Sequence, residues 1–152
     1  MLSGKHLFVY RQSEWNYGDP HACAEQAKAA GVSCVYLKVS DGINAFETGD
    51  NLRALAGALR AVGIDVAAWG YWYGPGYYAQ STGKWVPCDL VHARQEGILL
   101  AQRALGIGAS FVVIDAEGEY EHLGKKADGD PSAAQSESRG ITVSLTITRV
   151  AA

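Results

Sequence analysis

The stretch that decides the fold is AAGVSCVYLKVSDG, residues 29–42, in which a helix-like run ends at Gly31 and an apolar, β-branched run follows over residues 34–39. Glycine accepts the left-handed backbone conformation that ends many helices, so its position marks a helix end. The pattern recurs at Gly63 before residues 66–73, at Gly106 and Gly108 before residues 111–114, and at Gly140 before residues 141–147. Helices that alternate with short apolar strands predict right-handed crossovers and a parallel sheet.

The helix starts are also marked in the sequence. Aspartate precedes proline at residues 19–20 and again at 130–131, an arrangement in which the carboxylate caps the helix and the proline occupies its first turn. Asp50 is expected to cap the next helix. The buried face of that helix is predicted from apolar side chains at helical spacing, which are Leu52, Leu55, Leu59 and Val62. With an opening strand at residues 7–10, we predict about five strands and four intervening helices.

Two α/β architectures accommodate this order of elements. A doubly wound sheet predicts a glycine-rich phosphate loop after the first strand, and residues 10–13, Tyr-Arg-Gln-Ser, do not form one. A closed eight-stranded barrel needs about 250 residues, whereas the chain has 152. We therefore predict one domain over residues 1–152, a partial parallel (β/α) barrel of the TIM type. The sequence leaves open whether residues 128–152 are an altered or truncated end. Because a partial barrel has open sheet edges, self-association is expected.

Composition limits the classes of partner. The formal net charge is −3 and the pI is about 5.8, which argues against a nucleic-acid surface. The sequence contains no run of eighteen apolar residues that would predict a membrane span. The N-terminus lacks a signal-like apolar core, so synthesis in the cytoplasm is expected, with later release to the cell wall left open. Cys23, Cys34 and Cys88 lack CxxC spacing and are interpreted as reduced thiols, with no metal or cofactor expected.

Two acidic residues follow the fourth predicted strand. Side chains along a strand alternate between faces, so Asp115 and Glu117 share a face with Phe111 and Val113. Glycoside hydrolysis uses such a pair of carboxyl groups, one protonated to donate to the leaving oxygen and one ionised to stabilise positive charge. Glu119 has the same parity as Glu117. The alternative is that these residues are solvated loop acids.

The second and third strands add candidate substrate-binding residues. Lys38 lies inside the otherwise apolar strand that leads to Asp41, and it must reach solvent or an acid, for which Asp115 or Glu117 would serve. The alternative is a lysine whose ammonium extends outward to solvent. Trp69, Tyr71 and Tyr73 share one face of the strand. Such rings either stack on sugar rings in a binding site or pack in the hydrophobic core. The loop that follows is also aromatic, with Tyr77, Tyr78 and Trp85.

These motifs resemble those of the glycoside hydrolase family 25 lysozymes. Residues 38–42, Lys-Val-Ser-Asp-Gly, are similar to the family's Lys-Ala-Ser/Thr-Glu-Gly strand, and residues 70–73, Gly-Tyr-Trp-Tyr, stand where it has Gly-Ala-Tyr-His. Residues 111–117, ending in Asp-Ala-Glu, resemble its Asp-x-Glu strand, an ending shared with family 18 chitinase-like barrels. An uncharacterised bacterial group of lysozyme-like barrels, with an Asp-Ala-Glu-x-Glu-Tyr-Glu stretch, is more similar still. The resemblance covers residues 7–121.

The resemblance implies a glycosidase that acts on N-acetylhexosamine polymers such as peptidoglycan or chitin. Glu117 would be the general acid, and Asp115 would orient the substrate's acetamido group or stabilise the cationic intermediate. The expected substrate-binding residues are Lys38, Asp41, Trp69, Tyr71, Tyr73 and Glu119. The competing hypothesis is a non-catalytic carbohydrate-binding or phage structural module on the same barrel, with the aromatic residues kept and the chemistry lost.

Overall fold

The computed structural model of the protein describes residues 4–47, 49–73, 76–79, 81–87 and 90–115. Its strands are β1 Lys5–Val9, β2 Val32–Asp41, β3 Asn44–Ala45, β4 Asp65–Tyr71, β5 Gly76–Ala79, β6 Lys84–Pro87 and β7 Val112–Asp115. Its α-helices are α1 Pro20–Ala29, α2 Asp50–Ala61 and α3 Leu90–Gly106. Two 3-10 turns, Gln12–Glu14 and Asn16–Gly18, lie between β1 and α1.

The main sheet is parallel and sequential. Its strands lie in the order β1-β2-β4-β7, and the short β3 pairs antiparallel with β2. Among the strands of the described residues, β1 therefore lies at an edge of the sheet, whereas the first strand of a doubly wound fold lies inside it. The result is an α/β fold with a parallel sheet and three described helices, as far as residues 4–115 are described.

All three helices contribute to one apolar core on one face of the sheet. Helix α1 contributes Cys23, α2 contributes Leu55 and α3 contributes Leu100, and these pack with β2 and β4 residues such as Leu37 and Val66. The opposite face has a separate, smaller cluster without any helical member, formed by Cys34, Tyr36, Ala67 and Trp69 with Phe111 and Val113 packed against it. The helices thus cover one face of the sheet and leave the other to aromatic side chains.

Most of the predicted helix boundaries are confirmed. The Asp19 carboxylate accepts hydrogen bonds from the amides of His21 and Ala22, with Pro20 in the first turn of α1. The glycines predicted to end helices, Gly31, Gly63 and Gly108, all have positive φ. Cys23 and Cys34 are buried free thiols.

Two predictions about local structure were wrong. Asp50 does not cap α2, because it is the first helical residue, Gly49 is the N-cap, and the Asp50 carboxylate pairs with Arg53 at 2.9 Å. The segment after β4, expected to be a loop, forms the antiparallel pair β5–β6. The fourth predicted helix, the strand at residues 141–147 and the end segment 128–152 lie outside the described residues. None of the described helices is long and apolar enough to cross a membrane.

Candidate functional site

The candidate residues meet where β2, β4 and β7 end, which we name the carboxyl edge. Lys38 is paired in register with Trp69, and Trp69 with Val113. Two residues further along β4, Asp41 pairs with Tyr71, and Tyr71 pairs with Asp115. Carboxyl ends of parallel strands meet at one edge of a sheet, which is where active sites of such folds lie.

A β-bulge in β2 brings Lys38 and Asp41 to the same face. Three residues apart in a regular strand, they would point to opposite faces. The register shifts between Lys38 and Ser40, so that Val39 is the extra residue. Val39 packs into the helix-side core, and the Ser40 hydroxyl accepts a hydrogen bond from Arg103 of α3 at 2.7 Å. Asp41 therefore returns to the face of Lys38.

Lys38 is buried and its ammonium is enclosed by one acid and three rings. The side chain is 4% exposed, and Nζ lies 3.3 Å from Asp41 Oδ1. Nζ also lies 4.4 Å from the ring centroid of Tyr10, 4.2 Å from that of Phe46 and 5.2 Å from that of Trp69. These distances are within the range of cation–π attraction. We name Lys38, Asp41, Tyr10, Phe46 and Trp69 the lysine cage.

Within the described residues, the acid that pairs with Lys38 is Asp41 and not the predicted Asp115. Glu117, the other predicted partner, lies outside the described residues. The predicted alternative, a lysine reaching outward to solvent, is also wrong because the side chain is buried. The physical reason is the bulge, which places an acid from the same strand closer than one from β7.

The predicted aromatic residues divide into core and edge. Trp69 is 7% exposed, its Nε1 donates to the Val9 carbonyl at 3.2 Å, and it packs with Tyr36 and Ala67. Trp69 is therefore core and a wall of the lysine cage. Tyr71 and Tyr73 are half-buried, and their ring centroids are 4.8 Å apart at the carboxyl edge. Of the three, these two retain surface for a ligand.

Of the two predicted catalytic acids, only Asp115 is described. It is half-buried at the end of β7, and its backbone carbonyl accepts from the Trp72 amide at 2.9 Å. Glu117 and Glu119 lie outside the described residues, as does the geometry of the predicted Asp115–Glu117 pair.

Sequence reasoning missed a buried acid on α3. Glu96 is 2% exposed. Its Oε1 lies 3.0 Å from the position that a Cβ on Gly42 would occupy, and the Tyr73 ring lies 2.8 Å from the same position. The acid is thus directly beside the carboxyl edge. The available signal was helical spacing, because Glu96 lies in the buried stripe of Ala93, Leu100 and Ala104.

Two charged side chains hold the loops around the site. Glu47 accepts from the Gln12 amide at 2.7 Å and from the Ser13 hydroxyl at 2.9 Å, which ties the loop after β1 to the loop before α2. Arg103 donates to the carbonyls of Ile43 at 2.8 Å and Asn44 at 3.1 Å. Burial lowers the pKa of the Arg103 guanidinium from its ordinary value.

The loop after β2 is therefore fixed from the helix side, and with it Phe46 of the lysine cage. A cavity of about 140 Å³ lies beside this loop, between α2 and α3, and is lined by Val39, Glu47, Leu52, Arg53, Arg103 and Ile107 among others. This cavity is on the helix side of the sheet and is separate from the carboxyl edge.

Comparisons with protein-family models, curated proteins and solved structures found no match to this chain. Among the residues described, no group of three or more His, Cys, Asp or Glu side chains is placed to hold a metal ion.

Proposed function

We propose that the chain is part of a TIM-type (β/α) barrel and functions as a glycoside hydrolase of N-acetylhexosamine polymers, such as peptidoglycan or a chitin-like polymer. The observation that supports this best is the lysine cage, a buried lysine that pairs with a partly exposed acid and is enclosed by rings at the carboxyl edge, with Asp41 and Asp115 both in register with Tyr71. A buried charge is costly to maintain, and charged groups arranged in this way are concentrated at functional sites.

In this proposal each group has a distinct role. Glu117 donates the proton to the leaving oxygen, and Asp115 stays ionised and stabilises the developing positive charge or orients the acetamido group. Asp41, which is partly exposed, hydrogen-bonds a substrate hydroxyl, and the buried Lys38 holds the Asp41 carboxylate in place. Tyr71 and Tyr73 stack on sugar rings, Trp69 supports them as part of the core, and Glu119 is a further substrate-binding residue. The partner is a carbohydrate, and neither nucleic acid nor a cofactor or metal takes part.

The test is hydrolysis of chitin oligomers and peptidoglycan by the full chain. Glu117→Gln preserves shape but removes the transferable proton, so turnover should fall by about 10²–10⁴-fold. Oligomer binding should change little in this variant. Glu25→Gln, an exposed residue on α1, is the matched control and should leave turnover unchanged. If Glu117→Gln stays within a few-fold of the parent, the assignment of Glu117 is wrong.

The second candidate is a carbohydrate-binding or phage structural module without catalysis. It is favoured by the Lys38–Asp41 pair, because this lysine is neutralised within its own strand and is not engaged with the acid at the end of β7. Tyr73→Ala should weaken oligomer binding under either hypothesis. Binding of chitin oligomers with no detectable cleavage by the parent chain would select the module.

A further inference from the structure

The cavity of about 140 Å³ between α2 and α3 combines an apolar wall with two guanidinium groups. Val39, Leu52 and Ile107 supply the apolar surface, and Arg53 and Arg103 supply the charge. We name it the arginine cavity. A cavity of about 150 Å³ in a protein core holds one benzene molecule, so the arginine cavity suits a ligand of about six non-hydrogen atoms with a hydrocarbon part.

Arg103 keeps hydrogen-bond donors beyond those that hold the loop after β2. A guanidinium carries five N–H donors. Nη1 of Arg103 donates to the Ser40 hydroxyl and the Asn44 carbonyl, and Nη2 donates to the Ile43 carbonyl. Among contacts of the described residues, this leaves Nε and the second N–H of Nη2 for a ligand. Because burial lowers the pKa of this guanidinium, an anion beside it would offset the cost of its desolvation.

Arg53 is the second cation and lies on the neighbouring helix. Its Nε donates to the Gly106 carbonyl at 3.2 Å and its Nη1 to the Asp50 carboxylate at 2.9 Å. As far as the chain is described, these two bonds leave Nη2 available as a donor. The Asp50 side chain is 98% exposed, so water screens its charge. Arg53 therefore retains both charge and donors that an anion can use.

One acid, Glu47, lines the arginine cavity among the described residues, and it is already hydrogen-bonded to the loop after β1. Its oxygens accept from the Gln12 amide and from the amide and hydroxyl of Ser13. Two guanidinium groups and one carboxylate give the lining a net positive charge. Gly49, the N-cap of α2, also lines the cavity, and the amino end of a helix favours negative charge. The electrostatics therefore favour an anion over a cation.

We propose that the arginine cavity binds a small aliphatic carboxylate, with its charge on the two guanidinium groups and its hydrocarbon part on the apolar wall. Guanidinium groups match a carboxylate in shape, because two parallel N–H groups can hold its two oxygens. Inorganic phosphate offers a similar charge but nothing for the apolar wall. The site lies on the helix side of the sheet, apart from the carboxyl edge, and does not depend on glycosidase activity.

A ligand in the arginine cavity would also contact the β2 bulge. Val39 is the extra residue of that bulge, and its carbonyl accepts a hydrogen bond from the Phe46 amide at 3.2 Å. A carboxylate that packs on Val39 and holds Arg103 should therefore slow hydrogen exchange of the Phe46 amide. The Gly63 amide, in the exposed turn at the other end of α2, donates to the Arg60 carbonyl and should exchange as before.

The test is calorimetric titration of the full chain with isobutyrate, a branched carboxylate of about the required size. We expect saturable one-to-one binding with a Kd of about 1 mM or below. Isobutyramide has the same shape without the charge and should bind at least about tenfold more weakly. Hydrogen exchange of the Phe46 and Gly63 amides is measured with and without saturating isobutyrate.

Variants of the two arginines test the assignment of the site. Arg103→Gln should weaken isobutyrate binding at least about tenfold, because it removes charged donors from a half-buried position. Arg53→Gln should weaken it about threefold, because Arg53 is 61% exposed. Arg94→Gln, at an exposed position of α3 outside the cavity, is the matched control and should bind like the parent. Circular dichroism checks that each variant folds.

The contacts of Arg53 are one carbonyl and one exposed acid, so Arg53→Gln tests the site even if Arg103→Gln does not fold. Isobutyrate that fails to saturate by about 100 mM, about a hundredfold above the expected Kd, would overturn the proposal. So would isobutyramide that binds as tightly as isobutyrate, phosphate that binds more tightly, or binding that neither arginine variant weakens. An unchanged exchange rate of the Phe46 amide at saturation would place the ligand elsewhere on the chain.

Discussion

Two substitutions of Lys38 distinguish the contribution of its methylene groups to stability from that of its ammonium charge. The side chain is 4% exposed, whereas its partner Asp41 is 37% exposed. Lys38→Ala removes the three outer methylenes and the ammonium together. Lys38→Met removes the charge but keeps a chain of similar length and volume. The other residues of the lysine cage are unchanged in both variants. The difference between their free energies of unfolding therefore measures the contribution of the buried methylenes.

The expected magnitudes differ between the two variants. Three buried methylenes are worth about 2.4 kcal/mol at about 0.8 kcal/mol each. Loss of the cation–π contacts costs about 1–2 kcal/mol, and the ion pair contributes at most about 1 kcal/mol because Asp41 remains partly hydrated. Removing the buried ammonium offsets these losses, since its desolvation cost disappears. We expect Lys38→Ala to lower the free energy of unfolding by about 3 kcal/mol, and Lys38→Met to change it by less than about 1 kcal/mol.

The assay is urea unfolding followed by circular dichroism at one protein concentration, because association would make stability concentration-dependent. If Lys38→Met proves as unstable as Lys38→Ala, the charge dominates and the account based on the stem is wrong. If both variants unfold like the parent, Lys38 is not packed as described.

Three further predictions concern backbone conformation, capping and a buried thiol. Gly31 and Gly42 both have positive φ, +70° and +60°. A Cβ added at Gly31 would have no atom within 4 Å, whereas a Cβ added at Gly42 would lie 2.8 Å from the Tyr73 ring. Gly31→Ala should therefore lower the free energy of unfolding in urea by about 1–2 kcal/mol, and Gly42→Ala should lower it clearly more. Equal losses in the two variants would contradict the Tyr73 contact. Asp19→Ala removes two amide caps of α1 and should cost about 1 kcal/mol by the same assay, whereas Asp19→Asn should cost a few tenths. Burial raises the pKa of the Cys34 thiol above its ordinary 9.0. The unfolded chain therefore loses that proton first, and the free energy of unfolding should fall as pH rises above 9.0, less steeply in Cys34→Ala.

Local sequence signals predicted the elements of the fold because each depends on a few neighbouring residues. Asp19 before Pro20 predicted the start of α1, and Gly31 predicted its end. Asp19 is the N-cap of α1 and Gly31 has positive φ, so both predictions are confirmed. The apolar run of β2 predicted a strand that is buried on both sides, and its residues from Cys34 to Ser40 are all buried. Such signals predicted the parallel sheet without reference to any distant contact.

The candidate site was only partly predictable. Placing Lys38, Asp41, Tyr71 and Asp115 at one end of the sheet required only strand order and direction. Choosing which acid pairs with Lys38 required the register of β2 against β4, and a single extra residue reverses that choice. No short pattern of residues 38–41 predicts the bulge, because it arises from how two strands meet.

Burial of polar groups was decided by tertiary structure for the same reason. Glu96 is buried because α3 packs its stripe of small and apolar residues on the sheet, and the acid lies within that stripe. Phe8 is exposed because it lies on the face opposite the described helices and on β1, which pairs only with β2 among the described strands, whereas Tyr36 and Trp69 on β2 and β4 are buried. The sequence by itself determined which residues form helices and strands and in what order, since those preferences are local. Only the tertiary structure decided which charges meet, which rings are enclosed and which face of the sheet the helices cover, since these depend on residues far apart in the chain.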